Sequence, residues 1–451
     1  MAQKLTTRNV TEGVIWKQLL SFFFPILLGT FFQQMYNTVD TIVVGRFVGT
    51  QALAAVGAAT PLISLLNGFF IGLSSGATVL ISQFFGGGDR KGVAKALHTG
   101  ITLALLLGLT ISVLGITLSP WILRLTRVPA DCLGDSVRYT RIYFLGAVAS
   151  MVYNMGSGIL RAMGDSRRPT LFLIATCIAN IVLDILCVVV LKMGVVGAAL
   201  ATILAQGISA VLVLTVLRKL PEDIALGSRK LGLEKSLMKR ILFIGVPAGI
   251  QFMTFDLSNL LVQSGINSFG TATAAAFTAY AKADGLTWMV SGAFGVSITT
   301  FVGQNFGAQK YDRIRKSVWV CLGMSMVLEG CLSALCVTFR NFILGIFTAD
   351  PEVIALGAYV MLWTVPFNPI FMPTEVFGGA MRGVGYSIVP TVITSVCVCL
   401  FRVMWLFTAV ARFHYLGVLM LCYPISWILA AVAFLVTYLR GNWLRNRIPE
   451  M

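Results

Sequence analysis

Charge is scarce in this sequence. Only 12% of its 451 residues are Asp, Glu, Lys or Arg, about half the share of an ordinary soluble domain, and no polar stretch is long enough to form a separate soluble domain. Histidine is almost missing. With His98 and His414 alone, and no histidine–carboxylate or glycine-flanked nucleophile motif, the chain lacks the groups of a membrane enzyme such as an acyltransferase. It has no GxxxxGK[ST] phosphate loop, so it does not hydrolyse ATP itself. Six of the nine cysteines, Cys177, Cys187, Cys321, Cys331, Cys397 and Cys399, sit in apolar runs without metal-ligand spacing. Neither a disulfide framework nor a metal centre is expected. Acid is scarcer than base: 18 acidic against 34 basic residues leave a net charge of +16. The basic residues are scattered through short loops instead of forming one patch, which excludes nucleic acid as a partner.

What the chain does have is apolar length, with 57% hydrophobic residues and a mean hydropathy of +0.86. Its first apolar stretch is too long for a signal-peptide core and has no convincing cleavage site, so it is expected to remain as a helix. A span needs about 20 apolar residues. That template predicts helices at 16–38, 51–80, 94–119, 136–160, 169–191 and 195–217, and again at 239–263, 272–302, 317–338, 352–380, 388–411 and 417–439. The longest polar stretch, 218–240, separates the two sets. The expected architecture is an all-α integral membrane protein with twelve transmembrane helices. These form two pseudo-symmetric six-helix lobes, 1–217 and 239–451, joined by a cytoplasmic linker at 218–238.

Cytoplasmic loops retain Lys and Arg. Placing both termini in the cytoplasm puts Lys4 and Arg8, Arg90 and Lys91, Arg161 with Arg167 and Arg168, Arg229 and Lys230, Lys310 and Arg313, and Arg440 with Arg447 inside. Fewer basic residues, Arg127 and Arg138 among them, then lie outside.

The halves repeat at a shift of 221 residues. RAMGDSRRPT at 161–170 meets RGVGYSIVPT at 382–391, and the same shift pairs Gly49 with Gly270, Gln83 with Gln304, Phe85 with Phe306 and Lys95 with Lys316. Six spans separate equivalent points, so each copy keeps its orientation and the repeats are parallel.

A carboxylate inside a span costs at least roughly 2.5–3.5 kcal/mol at the helix centre and so marks a functional candidate. Asp40, Asp184, Asp256, Asp284, Glu329 and Glu375 qualify. The repeat ranks them, because the shift turns Asp40 into Leu261, Asn180 into Phe401, Asp184 into Trp405 and Thr202 into Tyr423. The polar cluster therefore belongs to the first lobe. Asn180 and Asp184 share a helix face, and Asp40 and Thr202 come from neighbouring spans. Two carboxylates with amide and hydroxyl oxygens are hard ligands that suit a small cation, Na+, or a proton.

In the second lobe, Asp256, Asp284 and Glu375 are candidates for a second acidic site or a substrate contact. Lys282 is a candidate neutralising partner for Asp284, while Glu329 has no evident partner. Gln34, Tyr36 and Asn37, with Trp288 and Met289, offer polar, aromatic and thioether surfaces that could line a cleft. Pro25 and Pro247, nearly equivalent in the two halves, should bend their helices, and Pro25 is a candidate hinge. Gly68, Gly72 and Gly76 recur every four residues and make a smooth ridge for a close helix neighbour. Arg161 and Arg382 are expected to hold helix ends and lipid phosphates.

QQMYNTVDTIVVGRFVG at 33–49, ISQFFGGGDRKG at 81–92 with its counterpart VGQNFGAQKYDR at 302–313, and LRAMGDSRRPT at 160–170 with MRGVGYSIVPT resemble the multidrug and toxic compound extrusion (MATE) family. This family belongs to the multidrug/oligosaccharidyl-lipid/polysaccharide flippase superfamily. The resemblance covers essentially the whole chain. It implies a V-shaped pair of six-helix lobes, alternating access in the cell membrane, and antiport of mostly cationic amphiphilic organic compounds outward against Na+ or H+ moving inward. It also implies that Asp40, Asn180, Asp184 and Thr202 match the cation or proton site of one branch. Asp256 matches an acid that another branch uses for sodium, whose tenth-helix acid has no match here because Glu375 is offset along its helix. No cofactor beyond the coupling ion is implied. The expected partners are a small organic substrate and membrane lipids, and an internally duplicated chain that completes its own cleft is expected to be a monomer. The rival reading is a flippase for lipid-linked saccharides, whose cleft should be strongly cationic to hold pyrophosphate.

Overall fold

The structure, a computed structural model, describes residues 10–126, 128–227 and 232–445. Lys4, Arg8, Arg127, Arg229, Lys230 and Arg447 lie outside the described residues. Among the described residues eleven helices are long and apolar enough to cross a membrane, or twelve when one bent pair counts as a single span. In chain order they are α1 (Ile15–Phe47), α2 (Thr50–Gly86), α3 (Arg90–Leu125), α4 (Ala130–Leu145 with Ala147–Ala162), α5 (Arg167–Val190) and α6 (Gly194–Arg218). A second set follows: α7 (Lys235–Asn267), α8 (Thr271–Gly307), α9 (Tyr311–Thr338), α10 (Pro351–Gly383), α11 (Ile388–Phe413) and α12 (Leu416–Leu439). In hydrocarbon every backbone N–H and C=O must be paired within its own segment, which the helix does and a lone strand does not. Large apolar side chains such as Leu109, Val113, Trp121, Val182, Val211, Val327 and Phe407 face outward, as a lipid solvent allows.

All twelve expected spans are present, and several run further than the apolar template foresees. Asp40 interrupts the apolar run of α1 without ending the helix, which continues through Val43 and Val44 to Phe47, and α2 and α8 each reach 37 residues. The fourth span bends by 45° at Gly146. A Cβ there would come within 2.7 Å of Ile203 and Gln206 on α6, so the bend sits where only glycine allows this close an approach.

The repeat extends to the backbone. Gly49 and Gly270 share positive φ (114° and 103°), as do Gly164 and Gly385 (89° and 83°), and Gly88 is matched by Gln309 at φ 57°. A π turn, Ile185–Val190, ends α5, and α11 has its own at Leu406–Val410, at the position the 221-residue shift predicts.

The chain forms two compact units. One consists chiefly of Phe24–Gly249; the other joins Thr11–Phe23 to the residues from Ile250 on. The division thus falls inside α1 and α7, next to Pro25 and Pro247, and not at the polar joint where the sequence suggested a linker. That joint has apolar residues to bury: Leu220, Ile224, Leu226 and Leu237 belong to the core of the first unit. Arg90 pairs with Asp223 at 2.7 Å and Lys95 with Glu234 at 3.3 Å. In the second unit the start of α1 is held by Arg313, which donates to Gln18 Oε1 at 2.8 Å, and by Phe23 stacked on Phe294 at 4.3 Å. The core of that unit is α8, which buries Phe277, Tyr280, Phe294, Ile298, Phe301 and Val302 among others.

The glycine ridge of α2 meets α7 within the first unit. A Cβ on Gly72 would overlap the backbone N and Cα of Gly249, and one on Gly76 would overlap the Ile241 carbonyl and lie 2.9 Å from Gly245 N. Interhelical approach this close needs small residues on both faces.

Candidate functional site

In the first unit α1 and α5 bring Asp40 and Asp184 together. The two carboxyls lie within electrostatic range of each other. Asp184 is wholly buried and Asp40 is 7% exposed. Among the described residues, no protein N–H or O–H donates to Asp40 Oδ1 or to either oxygen of Asp184. Asn180, one helical turn before Asp184 on the same face, is wholly buried, and neither its amide oxygen nor its amide nitrogen has a protein partner. Asp184 is the last α-helical residue before the π turn Ile185–Val190, the kind of local widening that recurs at functional sites. Thr202 lies on α6, which packs along α5; it is buried, and its hydroxyl donates to the Ala198 carbonyl at 3.0 Å. The hydroxyl keeps a lone pair free.

Three phenols that the sequence did not single out as a group complete this polar interior. Tyr36 and Tyr139 lie within electrostatic range of both carboxyls, and Tyr143 within range of Asp40. Tyr143 accepts hydrogen bonds from Asn67 at 3.2 Å and Gln206 at 3.4 Å. The signal was present: Tyr139 and Tyr143 are four apart in one span, as are Thr202 and Gln206. Around them Val43, Val44, Val56, Val188 and Val195 form a dry apolar shell. Unpartnered polar oxygens in a dry shell gain most from an ion or a proton.

The second unit distributes its acids differently. Asp284 accepts from Tyr280 at 3.1 Å, Thr287 at 2.8 Å, Trp288 Nε1 at 2.8 Å and Asn368 Nδ2 at 2.9 Å. It is not neutralised by Lys282, which is exposed; residues two apart point to different faces of a helix. Lys282→Ala is therefore expected to leave both the thermal unfolding midpoint and transport within error of the unaltered protein, as a melting curve and a dye-efflux assay would report. Glu329 is wholly buried, neither oxygen has a protein donor, and it lies within electrostatic range of Asp284.

Glu375 lies against Gly295 and 3.9 Å from Arg382, which also donates to Gln251 at 3.3 Å. Arg382 is only 9% exposed and so turns inward; a carboxylate seven residues earlier on its own helix outcompetes the lipid phosphates expected for it. Asp256 is half-buried on α7 and is joined to neither Asp284 nor Glu375 by the bonds above. Gln34 and Asn37 are exposed, and Trp288 and Met289 are half-buried. Pro25 stands inside a continuous α1, its carbonyl accepting from Thr170 Oγ1 at 2.5 Å.

An all-helical chain with this many spans, built as a parallel duplication with carboxyls buried in mid-span, is a multi-pass integral membrane protein. The MatE family profile matches it twice, over residues 25–186 and 247–408, and the chain belongs to that family. The two matches repeat the internal duplication. The chain is 29% identical over 401 residues to the probable multidrug resistance protein YoeA of Bacillus subtilis, covering 87% of this chain and 86% of that protein. It is 25% identical over 457 residues to the probable multidrug resistance protein NorM of Thermotoga maritima, covering 97% and 96%. Among solved structures it superposes on an outward-facing conformation of a multidrug resistance MATE family transporter of the MOP superfamily. There the TM-score is 0.90 at 22% identity, over 98% of this chain and all of that one.

Proposed function

We propose that this chain is a secondary active antiporter that exports organic, cationic amphiphilic compounds in exchange for Na+ or H+. Membership of a family of multidrug efflux transporters supports export as the task. The observation that carries the coupling is the facing pair Asp40 and Asp184 with Asn180 beside it: buried oxygens that no protein donor satisfies. With the ion bound, the two carboxylates and the amide and hydroxyl oxygens of Asn180 and Thr202 share its charge. With a proton instead, one carboxyl donates to the other. Either occupant removes the repulsion between the carboxylates.

Asp284, with Trp288 beside it, and Glu375 are proposed as substrate-side acids of the second unit, and both termini are proposed to lie in the cytoplasm. Sodium binding to the purified protein by calorimetry tests the coupling site. Binding that weakens as pH falls and disappears in Asp184→Asn supports it; unchanged binding in that variant assigns the ion elsewhere.

Pro25 is proposed as the hinge of α1. It removes one backbone hydrogen bond in the same helix that carries Asp40, next to the point where α1 passes from one compact unit to the other. Pro25→Ala should reduce the transport rate several-fold while leaving ion binding intact, measured by dye efflux alongside calorimetry. An unchanged rate would remove the hinge from the mechanism.

A further inference from the structure

Arg402 stands in the middle of α11, between the π turns Ser395–Leu400 and Leu406–Val410. It is 1% exposed. Its Nε donates to Ser426 Oγ at 3.1 Å and its Nη1 to Asn259 Oδ1 at 3.0 Å. The guanidinium carbon lies 4.4 Å from the Tyr423 ring centre, 5.6 Å from that of Phe255 and 6.0 Å from that of Trp427. Among the described residues no carboxylate forms an ion pair with it. The buried acid of this unit on α8, Asp284, is committed to four donors of its own.

Two donor nitrogens remain without an acceptor among the described residues. Arg402 Nη2 is buried without a protein acceptor, and so is the indole Nε1 of Trp427, a side chain with no exposed surface. Guanidinium and indole nitrogens only donate, so their partner must be an acceptor that the protein does not itself provide. Aromatic faces offset part of the cost of burying the cation, but they accept nothing from Nη2 and bring no negative charge. A buried cation without a counter-charge is strongly unfavourable in this environment. The charge therefore selects an anion over a neutral acceptor. The enclosure selects a small one, because neither side chain is open to a bulky carboxylate or a phosphate headgroup.

We infer that Arg402 Nη2 and Trp427 Nε1 bind a small monovalent anion of the halide class inside the second unit. The equivalent of Arg402 in the first half is Ile181, the neighbour of Asn180. The fifth span thus carries a buried acid, Asp184, where its counterpart in the second half carries a buried base three residues nearer the helix start.

The test uses the whole purified protein. Its thermal unfolding midpoint is followed as sodium gluconate is replaced by sodium chloride or bromide at constant ionic strength, and crystals grown in bromide are examined for anomalous scattering. The expected result is a saturable rise of the midpoint with halide and an anomalous peak between Arg402 and Trp427. Trp427→Phe, which keeps the ring and removes the donor, should raise the half-saturating concentration about tenfold, the effect of one hydrogen bond to an ion. Arg402→Met should abolish the dependence; if that variant does not fold, Trp427→Phe and the bromide peak decide. A midpoint indifferent to halide, a half-saturation unmoved in Trp427→Phe, or bromide found only elsewhere would overturn the assignment.

Discussion

Asp184→Asn is expected to reduce ion-driven efflux about a hundredfold, the equivalent of roughly 3 kcal/mol of lost ion-binding energy, while the protein still folds. The side chain is wholly buried and both its oxygens lack protein donors, so little of the fold depends on them. Asparagine keeps the volume and removes the charge. The loss should therefore appear in coupling and not in the unfolding midpoint. Asp40→Asn should behave in the same way because the two carboxyls act as one site. For that reason the double variant should be little worse than either single one, as residues working as a unit are strongly non-additive. Efflux of a fluorescent organic cation from vesicles, with a melting curve for each variant, checks all three expectations. A midpoint lowered by many degrees in Asp184→Asn would instead make the pair a structural bridge between helices.

The second large effect concerns packing. Gly72→Leu should yield no folded protein, and Gly72→Ala should lower the unfolding midpoint. A methyl at Gly72 meets the rigid backbone of Gly249, and no flexible side chain can move aside for it. Overpacking a fixed contact costs about 1–3 kcal/mol for a small excess and more for a large one. Gly57, on the same helix, has nothing within 4 Å of its would-be Cβ. Gly57→Ala should therefore be neutral or gain up to ~1 kcal/mol from helix propensity. Size-exclusion profiles and melting curves of the three variants separate a loss of close approach from a general intolerance of α2 to substitution.

Much of this was legible in the sequence, for reasons that can be named. Apolar runs announce spans because hydrocarbon admits little else, and the 221-residue shift exposes the duplication because turn glycines such as Gly49 and Gly164 are fixed by positive φ in both copies. Asp40 and Asp184 stood out because a charge in a span is costly. Helix ends were harder to read, since Asp40 interrupts the apolar run of α1 and the helix continues past it through Val43 and Val44 to Phe47. Tyr139 and Tyr143 were missed, and Tyr36 was read only as a cleft-lining candidate, because tyrosine in a span is unremarkable until its hydroxyl is placed. Arg382 was misread because its motif repeats in Arg161, yet only Arg382 has a carboxylate, Glu375, two turns earlier on its own helix. The polar joint looked like a linker by composition, although four of its apolar residues belong to the core of the first unit.

The central claim is tested most directly in proteoliposomes carrying a fluorescent organic cation, with sodium and proton gradients imposed separately, for the intact protein beside Asp40→Asn and Asp184→Asn. The account predicts that one of the gradients drives accumulation and that both substitutions abolish the drive while leaving the protein folded. Transport under neither gradient, or full coupling in both variants, would contradict it.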